Sequence, residues 1–215
     1  MVTMHDLLPA NYRSGLHPIP PSEYLVRMKN LLLLTCCTLI SASAMAQELP
    51  FSTIPDYLDE YTEHTTVIRM IEGLGYRYYW ATEGLRPEDL AYQPSADARS
   101  TRQTLEHIYS LSVMIINGTT STPNTRQEVA DLSFEELRAG TLNNFQTAVD
   151  NLFTDEPLTD RQMVWLTETG AYTLSFWHLI NGPISDAIYH TGQVVSFRRS
   201  SGNPMSPDVD VLRGQ

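Results

Sequence analysis

The chain has 215 residues, of which 42% are hydrophobic and only 18% are charged. This size and composition suit one globular domain with a full core and exclude bulk disorder. The formal net charge is −11, and Lys29 is the only lysine. Because an acidic, lysine-poor surface repels phosphate backbones, we expect no nucleic-acid partner.

The most apolar stretch of the chain lies near its start. A lysine precedes an apolar run over residues 31–40, and the following small residues end in an Ala-x-Ala pattern at Ala46. This order predicts a secretory signal peptide over residues 28–46, cleaved after Ala46. The apolar run is too short for a transmembrane helix of roughly 20 residues. A retained anchor, or a lipoprotein signal acylated at Cys36 or Cys37, is the less favoured alternative.

Residues 1–27 contain four prolines and show no helical or strand period. We interpret them as a disordered, over-extended start, with translation beginning at Met28. The mature protein would begin at Gln47 and would be periplasmic or secreted. It would contain no cysteine, because Cys36 and Cys37 are the only two in the chain. Disulfides, thiolate catalysis and Cys-ligated zinc are therefore excluded.

Two amphipathic helices are predicted in the first half of the mature chain. The first spans about residues 57–83, and its buried face is formed at three-and-four spacing by Val67, Ile71, Leu74 and Tyr78. The second begins at a capping box, in which Ser100 is the N-cap and Gln103 reaches back to it. It ends near Asn117.

Two further helices are predicted in the second half. The third begins at another capping box that starts at Ser133, and its apolar face continues to Leu152. The fourth begins near Pro183, with Asn181 as a candidate cap, and ends by Gly202.

The stretch over residues 153–177 mixes apolar residues with turn residues, so a short extended piece and an extra helical turn are both compatible with it. Four amphipathic helices and no convincing hairpin predict an all-α four-helix bundle.

Three polar residues occupy helix positions from which they could reach one metal ion. Asp186 and His190 are four residues apart, so they project from one helix face one turn apart. His107 lies mid-helix in line with Leu111 and Met114, and we expect it to face the interior. Such an Asp–His pair is more often a surface pair, and a lone helix histidine is more often a hydrogen-bonded core residue. Bundles nevertheless build metal sites on facing helices, and two histidines with one carboxylate form an open ligand set.

The segment over residues 104–108, Thr-Leu-Glu-His-Ile, is followed far downstream by Asp-Ala-Ile-Tyr-His-Thr-Gly-Gln over residues 186–193. This pattern resembles the DinB/YfiT-like superfamily. The resemblance implies a four-helix bundle that holds a divalent metal through one histidine of the second helix and two residues of the last, here His107, Asp186 and His190. It covers most of the predicted domain over residues 47–207 and leaves a C-terminal tail over residues 208–215.

One position departs from the family pattern. The superfamily usually has histidine where this chain has Asp186, and a carboxylate makes the site harder and less positive. The resemblance implies a divalent metal ion and favours zinc or nickel, and this departure leaves iron and manganese as alternatives.

The resemblance implies two enzyme classes, metal-dependent hydrolases and metal-dependent transferases that act on a low-molecular-weight thiol. Because thiol cofactors are mainly cytoplasmic and the signal peptide predicts export, hydrolysis ranks first. A thiol S-transferase and a non-catalytic metal-binding or stress-associated module are the alternatives. The expected partner is a small-molecule substrate. A homodimer is an option, and no stable membrane insertion is expected after signal cleavage.

Other residues have plainer interpretations. His64 is expected to be exposed or to lie in the core. Trp177 and His178 could line the mouth of the metal site, although a packed aromatic is favoured for Trp177. Arg198 and Arg199 are expected to complement the C-terminal end of the last helix dipole rather than to attract an anionic substrate.

Overall fold

Helices account for most of the structure, a computed structural model that describes residues 48–215. The predicted start over residues 1–27, the predicted signal peptide over residues 28–46 and the predicted N-terminal Gln47 lie outside these described residues. The helices are α1 (Glu63–Thr82), α2 (Pro87–Ala91), α3 (Thr101–Thr120), α4 (Phe134–Leu152), α5 (Phe176–Leu179) and α6 (Ser185–Ser200).

Side-chain caps determine where the first three long helices begin. The predicted capping boxes at Ser100 and Ser133 are confirmed, each with the reciprocal bonds from the residue three positions on. The predicted start of the first helix near residue 57 is wrong. Thr62 caps α1 instead, because its hydroxyl accepts from the amide of Thr65 and the Thr65 hydroxyl accepts from the amide of Thr62.

The four long helices surround one hydrophobic core. Helix α1 packs against α4 and α6, and α3 packs against the same two helices. Helix α3 also approaches α5 closely, since a Cβ atom built on Gly118 would lie 2.6 Å from the side chain of Leu179. No helix in the described part of the chain combines the length and the hydropathy that crossing a membrane requires.

A small sheet interrupts the helical pattern. It contains β1 (Pro123–Asn124), β2 (Gln162–Thr167) and β3 (Gly170–Ser175), with β1 parallel to β2 and β2 antiparallel to β3. The all-α prediction therefore holds only in part. The described chain is mostly helical, but it also contains this sheet. The prediction of no hairpin is wrong, because β2 and β3 form one. The sequence did not indicate it, since the tight turn lacks the usual Asn-Gly or Asp-Gly signal.

The last helical region begins earlier than predicted. Helix α5 continues through a π-helical turn over Ile180–Ile184 into α6, so neither Pro183 nor Asn181 marks a helix start. Pro183 has no amide hydrogen and would clash in a regular α-helical turn, which the wider turn avoids. The hydroxyl of Ser185 donates to the carbonyl oxygen of Ile180 at 2.7 Å. Asp186 follows this turn, in the first turn of α6.

Candidate metal centre

The structure brings together three side chains from two helices. His107 lies on α3, and Asp186 and His190 lie one turn apart on α6. Nε2 of His107 is 3.1 Å from Oδ2 of Asp186, and Nε2 of His190 is 3.4 Å from Oδ1 of the same carboxylate. One ligand atom from each residue lies within 4.8 Å of the other two. We call these three residues the triad.

The triad lies at the edge of the core rather than inside it. The His190 side chain is only 10% exposed, the His107 side chain is 29% exposed, and the Asp186 side chain is 43% exposed. His107 had been expected to face the interior, but the fully buried face of α3 is formed by its neighbours, including Leu105 and Ile108. The site is therefore supported by the core on one side and open to solvent on the other.

Gln193 orients the most buried imidazole. Nδ1 of His190 lies 2.7 Å from Oε1 of Gln193, and the amide nitrogen of Gln193 donates to the hydroxyl of Tyr189 at 3.3 Å. Because Oε1 of Gln193 can only accept, Nδ1 of His190 donates to it, and Nε2 is the ring nitrogen that faces Asp186. Partners of this kind set the tautomer and ring orientation of metal-bound histidines. In the sequence Gln193 ends the segment 186–193 that carries the family resemblance, but nothing there indicated this role.

The electrostatics of the site favour neutral imidazole at His107. Burial lowers the pKa of His107, and the positive charge of Arg99 and the neighbouring His190 lower it further. The hydrogen bond and the charge of Asp186 oppose this shift. Neutral imidazole is the form that binds metals.

The spacing of the donor atoms fits one divalent ion. Two ligand atoms bound tetrahedrally to zinc at about 2.0–2.2 Å lie about 3.4 Å apart. The two imidazole nitrogens lie 3.1 and 3.4 Å from the two different oxygens of Asp186, and the ligand atoms of the triad all lie within 4.8 Å of one another. Two imidazoles and one carboxylate suit zinc, nickel, iron or manganese.

Other residues considered from the sequence lie outside the triad. Nε2 of His64 donates to the carbonyl oxygen of Glu156 at 2.9 Å. The packed interpretation of Trp177 is wrong, because the residue is 74% exposed. Nδ1 of His178 contacts the hydroxyl of Ser175 at 3.3 Å.

The interpretation of Arg198 changes as well. Its buried guanidinium donates to the carbonyl oxygens of Trp80 and Ala81 at 2.9 and 3.1 Å. These carbonyls lie in the last turn of α1, so Arg198 complements the C-terminal end of α1 rather than of its own helix. Arg199 is exposed.

Comparison with known proteins gives one result that covers most of the chain. The model of the DinB family matches residues 63–214, a range that contains all three triad residues. A search of curated proteins found no match to this chain.

Proposed function

The chain belongs to the DinB family, and on that basis we propose that it is an exported metal-dependent hydrolase acting on a small molecule. The observation that carries the proposal is the convergence of His107, Asp186 and His190 at one open edge of the core. In this proposal the four long helices are the family's four-helix bundle, and the small sheet is an addition to it.

The triad would bind the ion through both Nε2 atoms and the Asp186 carboxylate. Oε1 of Gln193 would hold the His190 ring with Nε2 toward the ion, and burial lowers the pKa of His107, which favours the neutral form that binds metals. A divalent ion held by three protein ligands supplies Lewis-acid chemistry and can lower the pKa of bound water to about 7. Because Asp186 is partly exposed, substrate can approach from the solvent side.

Two arguments support hydrolysis over thiol transfer. The sequence of residues 28–46 predicts export, and low-molecular-weight thiol cofactors are mainly cytoplasmic. Water, by contrast, is available in every compartment. The family resemblance favours zinc or nickel, and the mixed nitrogen and oxygen donor set is also compatible with iron or manganese.

Metal binding and activity can be tested on the purified protein. We expect one equivalent of zinc or nickel per chain by elemental analysis, and hydrolysis in a panel of ester and amide substrates. His107→Ala and His190→Ala should each abolish stoichiometric binding and hydrolysis. His178→Ala is the matched control, because it removes an exposed imidazole outside the triad.

The same panel distinguishes the other functions. Thiol transfer without hydrolysis would contradict the hydrolase proposal and support the transferase. Stoichiometric metal with neither activity would indicate a non-catalytic metal-binding module. Wild-type binding in both triad variants would contradict the metal site itself. N-terminal mass analysis of the exported protein should show Gln47, and a product that retains residues 1–46 would contradict export.

A further inference from the structure

A second concave site lies away from the triad. A cavity of about 450 Å³, open to solvent on one side, is lined by the start of α1, the 3-10 turn over Leu158–Asp160 and helix α5. Small-molecule sites have cavities of about 300–1,000 Å³. No triad residue lines this cavity, and its walls are mainly apolar, including Val67, Leu158, Phe176 and Ile180.

Exposed aromatic side chains line the mouth of the cavity. Trp177 is 74% exposed and Tyr61 is fully exposed, and both are lining residues. Large apolar surface exposed next to a cavity is typical of binding sites. The faces of tryptophan and tyrosine rings also attract cations.

Glu63 is the one charged side chain among the described residues that line the cavity. Its Oε1 accepts from the backbone amide of Leu158 at 3.0 Å, which holds the carboxylate against the wall. Within the described chain its Oε2 accepts no hydrogen bond. Glu63 lies in the first turn of α1, where the helix dipole favours a negative charge. The cavity therefore combines an apolar interior, aromatic faces and one negative charge available to a ligand.

We propose that this cavity binds an organic cation with an apolar body, such as an aryl- or alkylammonium ion. The apolar body would fill the space beside Val67 and Phe176, and the ammonium group would pair with Oε2 of Glu63. The rings of Trp177 and Tyr61 would cover the cation from the solvent side. The net charge of −11 attracts the same class of ligand at longer range.

Three probes of matched shape test the proposal by isothermal titration calorimetry. They are 4-phenylbutylammonium, neutral 4-phenylbutanol and anionic 4-phenylbutyrate, each measured with a chelator present so that the triad holds no metal. The cation should bind about tenfold more tightly than the alcohol and more tightly still than the anion. Equal binding of the cation and the alcohol, or tighter binding of the anion, would overturn the proposal, and so would binding of no probe.

Two variants locate the binding. Glu63→Gln retains an acceptor for the Leu158 amide and should remove the preference for the cation while the alcohol still binds. Glu135→Gln, in the first turn of α4, is the matched control and should change nothing. Trp177→Ala should weaken binding of the cation, whereas Tyr172→Ala removes an exposed aromatic outside the cavity and should not. A Trp177→Ala variant with an unchanged melting temperature and unchanged cation affinity would show that the cation binds elsewhere.

Discussion

Two helical aspartates of this chain, Asp89 and Asp186, both lie close to nitrogen atoms of other side chains but have opposite environments. Asp89 of α2 is fully buried and accepts from the amide and guanidinium of Arg86, from the Ser201 hydroxyl at 2.6 Å and from the Asn203 amide at 2.6 Å. Asp186 of α6 is partly exposed and faces the two triad imidazoles. The first carboxylate has all its acceptor positions occupied, and the second does not.

This difference separates a structural acid from a candidate ligand. The hydrogen bonds from Arg86 hold the pKa of Asp89 well below its usual range, so Asp89 is a fixed anion that joins α2 to the end of α6. A saturated carboxylate of this kind has no electron pair left for an ion. Asp186 retains both exposure and acceptor capacity, which is what a metal ligand requires.

Replacement of Asp89 should have the largest effect. Asp89→Asn removes the negative charge and turns one of the two acceptor oxygens into a donor that faces other donors. We therefore expect the free energy of unfolding to fall by about 3 kcal/mol or more. Urea unfolding followed by circular dichroism measures this change. The spectrum should be mainly helical and independent of reducing agent, because the predicted mature chain contains no cysteine. Asp97→Asn, at an exposed loop position, is the control. Equal stability of the two variants would show that the Asp89 cluster does not stabilise the fold.

Gln193→Leu should weaken the triad without removing a ligand. The His190 ring would lose its Nδ1 partner, and loss of such an outer partner typically lowers metal affinity about 10- to 100-fold. Competition titration with a chromophoric chelator measures the dissociation constant. Gln146→Leu, on α4, is the matched control. If both variants bound zinc like the wild type, the orienting role of Gln193 would be refuted.

Asp186→His should have a smaller effect on binding. An imidazole can replace the carboxylate as a ligand, and it restores the set that the family resemblance implies, so we expect one bound ion and an affinity within about tenfold of wild type. Elemental analysis and the same competition titration measure both quantities. Loss of stoichiometric metal would mean that the charge of Asp186, and not only its donor atom, is essential.

The smallest expected effect is the pH dependence of stability that Asp89 contributes in acid. Because the folded pKa of Asp89 is lowered, its contribution to stability is present above the unfolded value of about 3.9 and is lost as the pH falls toward the folded value. Below pH 4, titration of this carboxyl should lower the free energy of unfolding by up to about 1.4 kcal/mol for each pH unit. Urea unfolding at pH 4 and pH 3 measures the slope, which should be shallower in Asp89→Asn. Parallel slopes would contradict the assignment.

Local signals predicted the parts of the fold that depend on neighbouring residues. The capping boxes at Ser100 and Ser133 were confirmed because the bonds that make them join residues three positions apart. The hairpin of β2 and β3 was not predicted, because its turn lacks a strong signal and β2 also pairs with Asn124, about 40 residues earlier. The predicted start of the last helical region was wrong because Pro183 lies within a π-helical turn rather than at a helix start.

The sequence by itself determined the long helices, the one-turn spacing of Asp186 and His190, and the family to which the chain belongs. Helical periodicity and capping act over three or four residues, so they can be read from the chain directly. The family resemblance, rather than helical spacing, indicated that His107 lies opposite Asp186, which is 79 residues later in the chain. Only the tertiary structure decided that Asp89 is the saturated acid and that Trp177 is exposed. Those outcomes depend on how the helices pack. Contacts between residues far apart in the sequence determine that packing, and a local sequence pattern does not predict it.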